Sequence, residues 1–267
     1  MEKADQFTDP HAPVQAGAEE KPPAELPEMT LREHLLELRK RLMWSVIAIA
    51  ASTCIALYFV DRVFPFFTEA FHDSFKGAML IGTSPAEAFL LKLKMAFFTG
   101  LLGVSPFLFF QLWLFIRPAL YEEEKRMALP FVMITTSLFL AGVVFCYQLV
   151  LPIALEFFAG EYESVGVTPT IRISEHIAMV VQALLGFGIA FELPVISFLL
   201  ARLGVIDFQM MKSGVRYAIV VIFLVSAILT PPDVLSQFLM AGPLTLLYGV
   251  SMLVVKHVDR RGAKEQK

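Results

Sequence analysis

The chain has 267 residues, 57% of them hydrophobic and 18% charged, with a mean hydropathy of +0.66. Soluble domains are typically about half apolar and about a quarter charged, so this balance excludes a soluble globular protein. The formal net charge of -3 without a long basic run gives no nucleic-acid surface, and Cys54 and Cys146 both lie in apolar stretches, so a disulfide framework is not the basis of the fold.

Residues 1–28 carry five of the 16 prolines and seven acids against two lysines, Lys3 and Lys21. Such a segment holds too little apolar surface to offset ordering and reads as a disordered acidic, Pro-rich tail. From Thr30 the pattern changes. Leu31, Leu35, Leu38 and Leu42 follow helical spacing, and Thr30-Leu31-Arg32-Glu33 is a capping box that starts a helix. This amphipathic helix lies at the membrane surface and runs into a first span at about 42–60. Ala48-Ile49-Ala50 resembles a signal-peptide cleavage site, but its apolar core would be only Leu42 to Ile47, behind a long acidic region.

A polar, aromatic-rich segment, 61–88, follows. Further apolar windows fall at about 89–116, 129–151, 175–201, 214–230 and 234–255, before a basic tail at 256–267. The predicted fold class is an all-α polytopic membrane protein, with a six-span domain over 29–255. The fifth window is the shortest, with about 17 residues between Ser213 and Pro231, at the lower limit for crossing a bilayer. Thr230-Pro231-Pro232-Asp233 must then be a tight turn. Pro106, Pro130, Pro152, Pro194 and Pro243 lie within or beside spans and predict kinked helices around a concave shape.

Lysine and arginine placement orients the chain. Fifteen basic residues, from Arg32 through Arg117, Arg202 and Lys256 to Lys267, cluster on one side, against Arg62, Lys76, Lys92, Lys94 and Arg172 on the other. That bias puts the N- and C-termini in the cytoplasm, in agreement with an even span count.

No nucleotide-binding Gly-x-x-x-x-Gly-Lys motif occurs, and Gly186-Phe187-Gly188 falls short of a dinucleotide fingerprint. The five histidines lack metal-ligand spacing and no Gly-x-Ser-x-Gly elbow is present. The expectation is a non-enzyme with no cofactor and no metal. The informative residues are isolated polar ones. Glu192 sits within Phe187-Gly188-Ile189-Ala190-Phe191-Glu192-Leu193-Pro194, where an ionised carboxylate facing lipid would cost about 3 kcal/mol or more. It must face a cavity, find a partner or be protonated. A bundle-locking hydrogen bond is its plainer role.

Glu37 lies off the leucine stripe of the first helix. An i,i+4 pair with Arg41 is its simplest use, worth a few tenths of a kcal/mol. Glu122-Glu123-Glu124 falls in a loop that the charge bias makes cytoplasmic, and acids there also suit the first turn of span three. Asp233 suits a helix cap. Gln237, one turn further, should contact another helix or another chain rather than stay unpaired in hydrocarbon.

Four motifs carry a family resemblance: His34-Leu35-x-Glu37-Leu38-Arg39-x-Arg41-Leu42, Phe115-x-x-Pro118-Ala119-Leu120-Tyr121-x-x-Glu124, Phe187-Gly188-x-x-Phe191-Glu192-x-Pro194, and Leu229-Thr230-Pro231-Pro232-Asp233-x-x-Ser236-Gln237. In this order, from Glu33 to Val255, the chain resembles TatC, the core multispanning subunit of the twin-arginine protein translocase. The resemblance implies a receptor in the bacterial cytoplasmic (inner) membrane for folded precursors whose signal peptides bear an Arg-Arg pair. It also implies TatA- and TatB-type single-span partners, a homo-oligomer within a hetero-complex, and transport drawing on the proton-motive force. Glu37 and Glu124, with Arg39 and Glu123 beside them, match the signal-recognition patch. Glu192 matches the family's intramembrane acid, and Gln237 with Asp233 a partner contact. A proton- or cation-coupled small-molecule transporter using Glu192 is the alternative, and a structural scaffold a third reading.

Overall fold

The structure is a computed structural model that describes residues 31–117, 128–229 and 234–265. The acidic tail, the loop with Glu122, Glu123 and Glu124, and the turn with Asp233 lie outside the described residues. Within them, six helical segments are long and apolar enough to cross a membrane, as the windows predict.

Helix α1, Leu31–Ser74, is 44 residues long and continues well past the expected end near residue 60. The aromatic segment explains this. Phe64, Phe67, Phe71 and Phe75 recur at helical spacing, and Phe67 and Phe71 are completely buried, so packing extends the helix where polarity suggested a loop. Gly77, at φ 83, then turns the chain through the left-handed region. Strand β1, Met79–Ile81, pairs in parallel with β2, Thr170–Arg172, in the register Met79 to Thr170. This two-stranded ribbon, three residues long, lies within the two segments expected as loops and is the departure from an all-helical chain among the described residues.

Helix α2, Glu87–Ile116, returns along α1 and makes its most extensive contact with it. Helix α3, Ala128–Phe145, passes through a π-helical turn, Cys146–Val150, into α4, Leu151–Ser164. Pro152 stands in the first turn of α4. With no N–H to donate, it interrupts the i to i-4 ladder where the wider turn appears. The fourth span is broken: α5, Ile173–Ala190, and α6, Leu193–Arg202, are separated by Phe191 and Glu192. Helix α7, Phe208–Leu229, begins six residues before the expected boundary. Its 22 residues extend about 33 Å, so the predicted shortfall is made up by the segment after residue 207. Helix α8, Val234–Glu265, contains Pro243 and continues through most of the basic tail.

The core lies where α1, α2, α3 and α5 meet, around Phe67, Met95, Phe98, Leu184 and Phe187. Helices α3 and α5 cross closely because each contributes a glycine. A Cβ on Gly142 would lie 2.5 Å from the Phe187 carbonyl oxygen, and one on Gly188 would lie 2.7 Å from the Phe139 ring.

Candidate functional site

Two helices place the first candidate residue. The Ser52 hydroxyl of α1 donates to the Gly100 carbonyl of α2 at 2.8 Å, and a Cβ on Gly100 would come within 2.8 Å of the Thr53 nitrogen. This close approach fixes the antiparallel register. Eleven residues from it along each helix, Arg41 Nη1 donates to Gln111 Oε1 at 3.4 Å. Further along the pair, seven residues beyond Arg41 on α1 and four beyond Gln111 on α2, the His34 ring stacks on Phe115 with centroids 4.5 Å apart. Glu37 is held between these contacts. Its Oε1 accepts from Arg41 Nη2 at 2.9 Å, and the side chains of Arg41 and Glu37 are 25% and 20% exposed. The simple i,i+4 pair is therefore formed, but it is tied to α2 through Gln111. Arg39 is exposed on the same helix. Glu123 and Glu124 lie outside the described residues; in sequence they follow the end of α2 at Ile116 by seven and eight positions.

Glu192 occupies the break between α5 and α6, and Pro194 stands in the first turn of α6. The missing N–H of Pro194 leaves the Ala190 carbonyl without its helical donor. Glu192 is 7% exposed and its carboxyl faces the backbone of Phe139 on α3. Its Oε1 has no hydrogen-bond partner among the described residues. The plainer role, an interhelical hydrogen bond that satisfies the acid, is thus only half fulfilled within the described chain.

An apolar groove of about 360 Å³ lies between α2, α3, α6 and α8, with Trp113, Phe131, Leu138, Pro194, Phe198 and Val254 in its wall. Trp113 is two residues from Gln111 and Pro194 two from Glu192, so the groove adjoins both positions along the chain.

Gln237, partly buried, meets another helix, one of its two expected partners: Nε2 donates to the Phe223 carbonyl of α7 at 2.9 Å. At the opposite end of the α7/α8 pair, Asp259 Oδ2 accepts from the Phe208 N–H at 2.8 Å, and Tyr248 donates to the Met211 carbonyl at 2.8 Å. Asp233 lies outside the described residues.

Sequence reasoning missed Gln111, although an amide within Phe110-Gln111-Leu112 is the same kind of signal as Gln237. It also missed Glu87, the first residue of α2. Its carboxylate accepts from the N–H groups of Thr83, Ser84 and Ser174, joining the two chain segments that carry β1 and β2. Arg172 adds to this junction by donating to Thr83 Oγ1 at 2.7 Å.

The chain and its fold have known counterparts. A family model described as Sec-independent protein translocase protein (TatC) matches residues 33–243. The Sec-independent protein translocase protein TatC of Helicobacter pylori (strain J99 / ATCC 700824) is 43% identical over 229 residues, covering 86% of this chain and 90% of the relative. That of Aquifex aeolicus (strain VF5) is 39% identical over 240 residues, covering 90% of this chain and 100% of the relative. A crystal structure of the twin arginine translocase receptor TatC superposes with a TM-score of 0.79 at 38% identity, covering 85% of this chain and all of the other. With six helices apolar enough to span a membrane and a family match over most of its length, the chain belongs to the TatC family of Sec-independent protein translocase proteins.

Proposed function

We propose that the chain is the receptor and core subunit of a twin-arginine translocase in the bacterial inner membrane, with both termini cytoplasmic. Glu37 and Glu124, with Arg39 and Glu123 at their side, receive the Arg-Arg pair of a folded precursor's signal peptide. A guanidinium presents a planar fork that a carboxylate takes through two hydrogen bonds, and an ammonium cannot reproduce it. The observation that carries this reading is the placement of Glu37: a partly exposed carboxylate fastened to α2 at the end from which the Glu124 loop departs. A carboxylate meant only for surface solvation would need no such anchoring.

In this reading Glu192 is a polar contact within the membrane, and Gln237 with Asp233 marks the face that meets TatA- and TatB-type single-span subunits. Several copies of the chain work within that hetero-complex, and the proton-motive force drives export. The apolar groove beside Trp113 and Pro194 suits the apolar stretch that follows a signal's arginines. The test is capture of a twin-arginine signal peptide by the detergent-solubilised chain, beside its Lys-Lys version. Preferential capture of the Arg-Arg peptide supports the reading; equal capture, or none, overturns it.

A further inference from the structure

Arg41 divides its guanidinium between two acceptors. Nη2 takes Glu37 Oε1 at 2.9 Å and Nη1 takes Gln111 Oε1 at the longer distance of 3.4 Å. Gln111 is buried, 7% exposed, so its amide is a fixed point on α2 rather than a mobile surface group. The third donor position of Arg41, Nε, is buried without a hydrogen-bond partner among the described residues. The guanidinium is thus incompletely satisfied, and it uses one oxygen of the Glu37 carboxylate.

We propose that Arg41 is a built-in competitor for Glu37, and that Gln111 is the acceptor that retains Arg41 when a cargo guanidinium takes its place. The inference rests on reading Glu37 as the recognition carboxylate. Two guanidinium groups cannot both take one carboxylate through a full fork, and two cations beside it repel each other. Binding is then an exchange. The cargo arginine forms a charge-assisted pair with Glu37, while Arg41 gives up its own pair and keeps its neutral contact to Gln111. The competitor lowers affinity for every cationic ligand of Glu37 and keeps the signal releasable, as handing cargo onward requires. Gln111 sets how much it competes, since a stronger acceptor there draws Arg41 off Glu37 and no acceptor leaves it on Glu37 alone.

The experiment titrates a fluorescent Arg-Arg signal peptide onto the full chain in nanodiscs, comparing wild type with Arg41→Gln, Gln111→Glu, Gln111→Leu and Glu37→Ala. Exposed and half-buried ion pairs are worth up to about 1 kcal/mol, so removing the competitor in Arg41→Gln tightens binding about two- to fivefold. Gln111→Glu tightens binding in the same direction, and Gln111→Leu weakens it. Loss of a merely structural residue would weaken binding in all three. If Glu37→Ala loses binding while Arg41→Gln and Gln111→Glu bind no tighter than wild type, the competitor is refuted and the recognition site stands. If Glu37→Ala binds as wild type does, the recognition reading itself fails. Should Arg41→Gln not be recovered folded, the opposite signs expected of the two Gln111 variants decide the matter, and equal signs overturn the proposal.

Discussion

The hydroxyl of Ser52 and the carbonyl of Gly100, 2.8 Å apart, set the register that brings Arg41 opposite Gln111 eleven residues away on each helix. A methyl group on Gly100 would press on the Thr53 backbone, which cannot yield as a flexible side chain would. Gly100→Ala is therefore expected to destabilise the protein by about 1–3 kcal/mol, the range for overpacking, and to weaken signal-peptide binding with it. Ser52→Ala loses one hydrogen bond and should cost about 1 kcal/mol. Thermal unfolding in detergent, read beside peptide affinity, checks both. A Gly100→Ala protein as stable as wild type would mean that this approach does not fix the register.

Glu192 sits in a helix break with one carboxyl oxygen unpartnered among the described residues. As a polar contact it needs hydrogen bonding rather than charge. Glu192→Gln should then remain nearly as stable and retain substantial export of a twin-arginine reporter, whereas Glu192→Leu should insert and fail to export. A proton-coupled transporter demands the opposite of the glutamine variant, since an amide cannot titrate. Complete loss of export by Glu192→Gln at normal membrane abundance would favour a titrating role.

Glu87 gathers N–H groups from two distant segments. Glu87→Ala leaves those donors without their carboxylate. Amide hydrogen exchange should quicken at 79–84 and 170–174, around the β1/β2 pair, while Arg-Arg peptide binding stays unchanged. Unaltered exchange would show that the strand pairing holds without the carboxylate.

The proposed orientation, drawn from the charge bias, has Lys76 and Lys125 on opposite sides of the membrane. Single cysteines at these positions, in a chain whose Cys54 and Cys146 are replaced, should label from opposite faces of sealed vesicles. Labelling from the same face would overturn the proposed orientation.

Much of the fold was legible because membrane spans announce themselves by long apolar windows. Their ends were less so. The helix past residue 60 is extended by Phe67 and Phe71 burying against other helices, and that tertiary packing is invisible to a hydropathy window. The start of α7 at Phe208 lies among residues whose polarity hides them, and the short parallel strands depend on two segments meeting across 89 positions, as Arg172 meets Thr83. The isolation of Glu192 was visible in sequence, as was the need of Gln237 for a partner on another helix or another chain. The role of Gln111 was not, because its partner Arg41 lies 70 positions earlier and nothing local relates them.

The proposed receptor site for the signal's arginines is Glu37, on α1 where it is tied to α2, together with Glu124, eight positions beyond the end of α2 in sequence. Its most direct test is the affinity of an Arg-Arg signal peptide for Glu37→Ala and Glu124→Ala, with Glu122→Ala and the Lys-Lys peptide in parallel, each on protein inserted at wild-type abundance. A charge-assisted pair is worth about 1.5–3 kcal/mol, so Glu37→Ala and Glu124→Ala should each lose roughly ten- to a hundredfold in affinity. A larger loss in Glu122→Ala would move the second contact from Glu124 to Glu122. Unchanged binding in every one of these variants would contradict the account.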